Sequence, residues 1–447
     1  MPQVDWTISG TLQVEDFLTP NTELDRDGPA GTAVALWPLA GVRVLVKGSL
    51  FDNGPYGSFA NGVTDDLGHF RIRARKSDQA RKFQVHVELE DATLSVREKD
   101  ISETLVVYQS REKESGRGID LDDVLLRSGS NGLPTTSHWK LLTWYLIKSV
   151  IDTLEENGQA FKRKIRVRVP VSTISGAPWA RGILADNVYV TADTFNLVTL
   201  IHEVMHLWNY QHNSGISNWL GAVWGDSDTA GQQEQPNIAF HEGFAEFAAW
   251  ELMHLIWGLE KGLPYSRQNL SSTRSLTSLD MVERNWKGVV GCFRLLTAEN
   301  PAELAVGVAS GAVSTYAAAT ANTTGCPTGQ LVTFYDVLRV FSPARAAGWN
   351  TEWEVGNGSF GIRRFFRRAS DILDGFSDSA SQLMLDVLDP AGTTEIRDRC
   401  QDLLTDVPST ARTAIARRAR SRKPPAPRRR PQPARADTHW RHLVKQR

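Results

Sequence analysis

The sequence predicts a multidomain chain: an N-terminal all-β sandwich, an α+β domain whose C-terminal part is mainly helical, and a disordered basic tail. Three observations carry this expectation. Residues 1–109 break into short β-branched runs separated by turn residues. One amphipathic stretch, Asn187 to Asn213, carries two histidines four positions apart with a glutamate beside the first. Positive charge then gathers at the end of the chain: Arg412 to Arg447 hold 13 Lys or Arg and one acid, Asp437, a net of +12 that leaves −13 for the rest. A chain of 447 residues exceeds what one hydrophobic core usually organises, so several domains are expected.

In the first segment, WTISGTLQV, GVRVLVKG, HFRIRARK, KFQVHVELE and ETLVVYQS read as strands. DRDGPAG, DNGPYG and TDDLG between them supply the Gly, Asn, Asp and Pro of tight turns. PLAGVRVLVKG followed by VTDDLGHFRIRA resembles the transthyretin-like and carboxypeptidase-regulatory-like domains over most of residues 5–109. The resemblance implies an accessory module, often attached to hydrolases. His69 and His86 are isolated and read as strand-face residues rather than ligands.

Residues 110–137 are polar and rich in Gly and Ser, and read as a linker to a domain spanning 138–410. HWKLLTWYLIKSVIDTLEEN reads as a helix with Leu142, Tyr145, Leu146, Val150 and Leu154 on one side, and Trp139, Trp144 and Tyr145 as core and interdomain packing. KIRVRVPV alternates and predicts a half-buried strand; NVYVTAD predicts a second, followed by Asp193 or Thr194 as N-cap. The second strand is expected to be a sheet edge, with the free backbone of Val188, Tyr189, Val190 and Thr191 binding an extended peptide by strand addition. An ordinary strand paired on both sides is the competing expectation.

HEVMH, His202 to His206, matches the H-E-x-x-H pattern. Residues four apart share a helix face with Cβ atoms about 5–6 Å apart, so both rings can turn a nitrogen to one zinc ion. Glu203 is placed to take a proton from a metal-bound water. Leu197, Leu200, Ile201, Val204 and Trp208 make the apolar stripe that such a helix buries. A long polar stretch from His212 to Asn237 is expected to rim a cleft. IAFHEGFAEFAAWELMHLIWG then reads as a second helix. A catalytic zinc needs three protein ligands and an open position, and Glu242 is the candidate third ligand. Glu246, one turn on, can accept a hydrogen bond from a ligand histidine and fix its tautomer.

H-E-x-x-H followed on a second helix by E-G-F-A-E resembles the gluzincin metallopeptidases, most closely over residues 165–260. The resemblance implies an α+β zincin-like metallopeptidase domain with one zinc ion. It makes His202, His206 and Glu242 ligands, Glu203 the base and Glu246 the supporting carboxylate. The 35 residues between His206 and Glu242 are more than in the aminopeptidase branch of that family. Asn285 stands where that branch has an oxyanion-stabilising tyrosine, leaving Tyr265, Tyr316, Tyr335 and His254 as candidate donors. His241 points about 100° away from Glu242 around a helix, and reads as a non-ligand. Asp226 and Asp228 read as solvated loop carboxylates.

Beyond Leu276 the sequence reads as mostly helical to residue 410, and residues 411–447 as a disordered Pro/Arg-rich tail. That tail suits an anionic partner or a contact with the acidic body. Cys292, Cys326 and Cys400 lack disulfide or metal spacing and read as buried thiols. The N-terminus lacks a signal-peptide pattern and no run suits a membrane span, so a cytoplasmic protein is expected, with signal-independent export left open. Two functions are expected to compete. One is a zinc-dependent peptidase acting on a peptide or protein substrate. The other is a non-catalytic, zinc-stabilised binding or structural protein whose β-sandwich and basic tail recruit partners.

Overall fold

The computed structural model describes residues 3–16, 35–49, 55–77, 82–98, 104–109, 118–126, 136–169, 179–181, 187–190, 197–213, 236–257 and 333–341, with Trp286, Val289, Val290, Phe293, Thr297 and Phe365. Outside these residues fall the expected N-cap at Asp193 or Thr194, the stretch from Ser214 to Gln235, the three cysteines and the basic tail.

Two four-stranded sheets form from the first part of the chain. One contains β1 (Gln3–Asp16), β2 (Ala35–Pro38), β5 (His69–Ser77) and β9 (Gly118–Leu126). The other has the order β4 (Gly57–Val63), β3 (Arg43–Ser49), β6 (Lys82–Glu88), β8 (Leu105–Gln109). Alternation along the strands turns Val44, Val46, Phe83, Val85 and Val87 inward, where they join Ile8, Leu12, Val14, Phe70 and Ile72 in one core. The chain crosses between these sheets at the PLAGV and TDDLG segments, and Thr64 ties the two crossings together. Its hydroxyl donates to Leu39 O at 2.6 Å and accepts from Val42 N at 2.9 Å. Gly68 adopts φ +77°, and a Cβ there would lie 2.5 Å from Leu12 O, so this turn requires glycine.

β9 lies inside the segment expected as a linker, yet it pairs in parallel with β1, Ile8 opposite Ile119 and Leu12 opposite Val124. Strand β1 is long, and β5 covers one of its edges. An uncovered second edge would present unpaired N–H and C=O groups, and β9 satisfies them.

The third sheet has the order β11 (Trp179–Arg181), β12 (Asn187–Tyr189), β10 (Ile165–Arg168), β7 (Leu94–Arg97). β7, β10 and β12 are parallel and β11 is antiparallel. β7 comes from the first hundred residues but pairs with β10. Ion pairs hold this junction: Glu90 meets both Arg97 and Lys164, Lys140 meets Glu98 at 3.1 Å, and Lys148 meets Asp91 at 3.1 Å. Burial alone would raise the pKa of Glu90, but the two cations beside it outweigh that and lower it.

The expectation of a substrate-binding edge at residues 188–191 is corrected here. β12 is paired on both sides, by β10 and by β11, and Val190 N donates to Arg168 O at 2.9 Å. The backbone of Val188 and Tyr189 is therefore committed to the sheet, and Thr191 lies outside the described residues. The outer strand is β11, three residues between Pro178 and Gly182. So short a run gives no alternation to read.

Helix α1 (Thr136–Glu156) packs on this sheet through Leu142, Leu146, Val150 and Leu154, all fully buried. It also meets the first sheets: Tyr145 stacks on Trp37 at 5.1 Å, Trp144 Nε1 donates to Ala40 O at 3.3 Å, and His138 Nε2 lies 2.7 Å from Glu15 O. α2 (Leu197–Asn213) buries the whole expected stripe from Leu197 to Trp208. α3 (Pro236–Trp257) opens on a proline, which costs nothing at a first helical position, and is apolar on nearly all sides. Such a helix must be central. Phe240, Phe244 and Phe247 are fully buried against Phe293, Phe365, Trp208 and the short α4 (Phe334–Phe341). No helix among the described residues is long and apolar enough to cross a membrane.

His212, in the last turn of α2, stacks on Trp208 at 4.1 Å and its Nδ1 lies 2.9 Å from Trp208 O. Burial drives its pKa down from 6.5 to about 4. The unfolded chain therefore takes up a proton at this site before the folded one does. The stability contributed by the neutral ring is present above pH 6.5 and is lost as pH falls through about 4. Denaturant unfolding should show stability dropping by about 2–3 kcal/mol from this group between about pH 7 and about pH 4. A His212→Gln variant should have a flatter profile over that range.

Candidate metal centre

The site lies where α2 crosses α3. The helices run antiparallel, so His202 faces Glu246 while His206, one turn later, faces Glu242. His202 Nε2, His206 Nε2 and Glu242 Oε2 form a triangle with edges of 2.9, 3.2 and 3.3 Å. His202 Nδ1 is engaged elsewhere, 3.0 Å from Glu246 Oε2. A carboxylate only accepts, so that contact places a proton on Nδ1, and in the neutral ring Nε2 is then the lone pair. When both rings present Nε2 as a lone pair, three electron-rich atoms face one another across about 3 Å, a donor set that suits a cation.

The donor set fits a metal ion. Tetrahedral bonds of about 2.0–2.1 Å set ligand atoms about 3.3–3.4 Å apart, close to the observed edges. His202, His206 and Glu242 are the metal-capable group among the described residues. Their side chains keep 15, 19 and 28% of their surface exposed. Electrostatics point the same way. Burial would lower the His202 pKa, but hydrogen bonds to Glu242 and Glu246 raise it well above its ordinary value. Burial would likewise raise Glu242, yet His206 and His202 hold it well below the usual carboxylate range. The site favours a positive charge, which a metal ion supplies as well as a proton does.

The sequence candidates that fall among the described residues have definite places. Glu203 is buried, on α2 about 60° around the axis from His206. Glu246 Oε2 lies 3.0 Å from His202 Nδ1. His241 is engaged by the other helix: the Asn209 amide meets its Nδ1 at 2.7 Å, and its Nε2 is buried with no hydrogen-bond partner among the described residues. Burial drives its pKa down to about 4, so it is neutral. Among the oxyanion candidates, Tyr265 and Tyr316 lie outside the described residues. His254 sits twelve residues beyond Glu242 on the same helix, about 18 Å along its axis. Tyr335 is in the first turn of α4, its ring 5.5 Å from Phe334.

Two contributions were not anticipated from sequence. Asn209 and His241 link the two ligand-bearing helices beside the site. Gly243, next to Glu242, is where α3 meets the helical residues Trp286 and Val289. A Cβ there would lie 2.7 Å from Trp286 O and 2.7 Å from Val289 Cβ. The E-G-F segment thus has its glycine for close packing.

Purified protein should carry about one equivalent of a divalent metal by plasma emission analysis, and chelation should lower its melting temperature. The His202→Ala, His206→Ala double variant should carry almost none. Gly243→Ala should cost about 1–3 kcal/mol of stability from overpacking and weaken metal retention by displacing Glu242. Unfolding curves and metal content of the same preparation check both effects.

No family model matches the chain, and no curated protein matches it. Among solved structures, a 9R-lipoxygenase from Cyanothece aligns with 11% identity over 66% of this chain and 31% of that chain, with a TM-score of 0.19. A likeness that slight carries no argument about fold or activity.

Proposed function

We propose that the protein is a zinc-dependent peptidase of gluzincin type, in which His202, His206 and Glu242 hold one zinc ion. The observation that carries this reading is the triangle of His202 Nε2, His206 Nε2 and Glu242 Oε2, with edges of 2.9, 3.2 and 3.3 Å. Among the described residues the group has three ligands, and a structural zinc site is normally closed by four. That favours the catalytic reading over the zinc-stabilised binding protein. On this reading the first two sheets are an accessory β-sandwich, and the third sheet with α1, α2 and α3 is the zincin-like unit.

A zinc ion held by His202, His206 and Glu242 would polarise the scissile carbonyl and lower the pKa of a bound water to about 7 from nearly 16 in bulk. The residues do the rest. Glu203, flanking the ligand pair on α2, accepts the proton of the attacking water and returns it to the leaving amine. Glu246 holds His202 in the tautomer that presents Nε2. The extended substrate pairs with the outer strand β11, beside which α2 runs, since β12 has no free edge.

The Glu203→Gln variant tests the mechanism. It should retain zinc at the wild-type ratio and lose peptide cleavage by a factor of about 10² or more. Cleavage of a mixed peptide library at the wild-type rate by that variant would sink the assignment of Glu203. A wild-type protein with full zinc and no turnover of the library would favour the binding-protein reading.

A further inference from the structure

The Glu246 carboxylate is held at both oxygens. Oε2 meets His202 Nδ1 at 3.0 Å, and Oε1 accepts from Trp250 Nε1 at 3.2 Å. Glu246 and Trp250 are four apart on α3, the spacing that stacks side chains one turn above another. An indole nitrogen can only donate and a carboxylate can only accept, so the sense of this bond is fixed. It also sets geometry. The terminal torsion of a glutamate is broad and roughly twofold, so one hydrogen bond leaves the carboxylate plane free to turn. A second donor on the opposite oxygen removes that freedom. Packing alone would place the Trp250 ring against the core, where it is partly buried, but does not require its N–H to face Glu246.

We infer that Trp250 is a positioning residue of the metal centre: its indole N–H fixes the plane of Glu246, which in turn holds the His202 ring with Nε2 facing His206 and Glu242. This rests on the metal-binding reading of the site. The chain of contacts runs Trp250 to Glu246 to His202, with no contact needed between Trp250 and the metal or a substrate. On this proposal the effect of Trp250 on the metal passes through Glu246.

The test is a double-mutant cycle in Zn²⁺ affinity, read by competition with a chromophoric chelator, on the full chain. Trp250→Phe keeps an aromatic ring and removes the donor. It should weaken Zn²⁺ binding about tenfold, the lower end of the loss typical for residues supporting a metal ligand. In a Glu246→Ala background the same substitution should weaken binding by less than about twofold, because the path is already cut. Equal losses in the two backgrounds, or no loss in either, would overturn the proposal and leave Trp250 as packing. Should Trp250→Phe fail to fold, incorporation of benzothienylalanine at position 250 keeps the ring shape and removes only the N–H, with the same expectation. A wild-type protein that binds no stoichiometric Zn²⁺ refutes the metal reading itself, an outcome distinct from any result of the cycle.

Discussion

The crowding of His202, His206 and Glu242 is the constraint on which the rest of the structure turns. With both rings neutral and no cation between them, three lone-pair atoms about 3 Å apart would repel, so the packing of the helices that bear them matters. The aromatic core behind the site supplies that packing. Phe240, Phe244 and Phe247 lock α3 against Trp208 of α2 and against Phe293, Phe341 and Phe365. Burying a side chain of that size contributes roughly 1.5–3 kcal/mol, so several together hold the two helices at this separation. Gly243 lets the approach on the far side of α3 be close enough.

Much of the site was legible because helices are local. Spacing of four places residues on one face whatever the rest of the chain does, so His202 with His206, and Glu242 with Glu246, could be grouped from sequence alone. The buried stripe of α2 followed from the same periodicity. Trp250 obeys this spacing too, but an indole reads as core, and only its bond to Glu246 distinguishes it. The Asn209–His241 contact joins two helices and leaves no periodic trace.

The sheets were harder to read because strand pairing is not local. β10 alternates clearly, but nothing in NVY says whether its edge is free. That was decided by WAR, a three-residue strand folding back against it. Similarly, GIDLDDVLL is polar enough to suggest a linker, and only the open edge of β1 recruits it. Thr64 shows the converse: the two turn motifs of the first segment were recognised separately, and the hydroxyl that joins them lies in the second.

The placement of β7 bears on the order in which the molecule can assemble. Leu94 pairs with Ile165 across a loop of about seventy residues, a non-local closure that is slow to form. β12 and β11 are laid down beyond β10 in the same sheet, and α2 rests on those two strands. The sheet on which the helix carrying His202 and His206 rests thus has its far side closed by a segment from the N-terminal part. Because β7 precedes β10 by about seventy residues in the chain, this side of the sheet is completed only once β10 has been made.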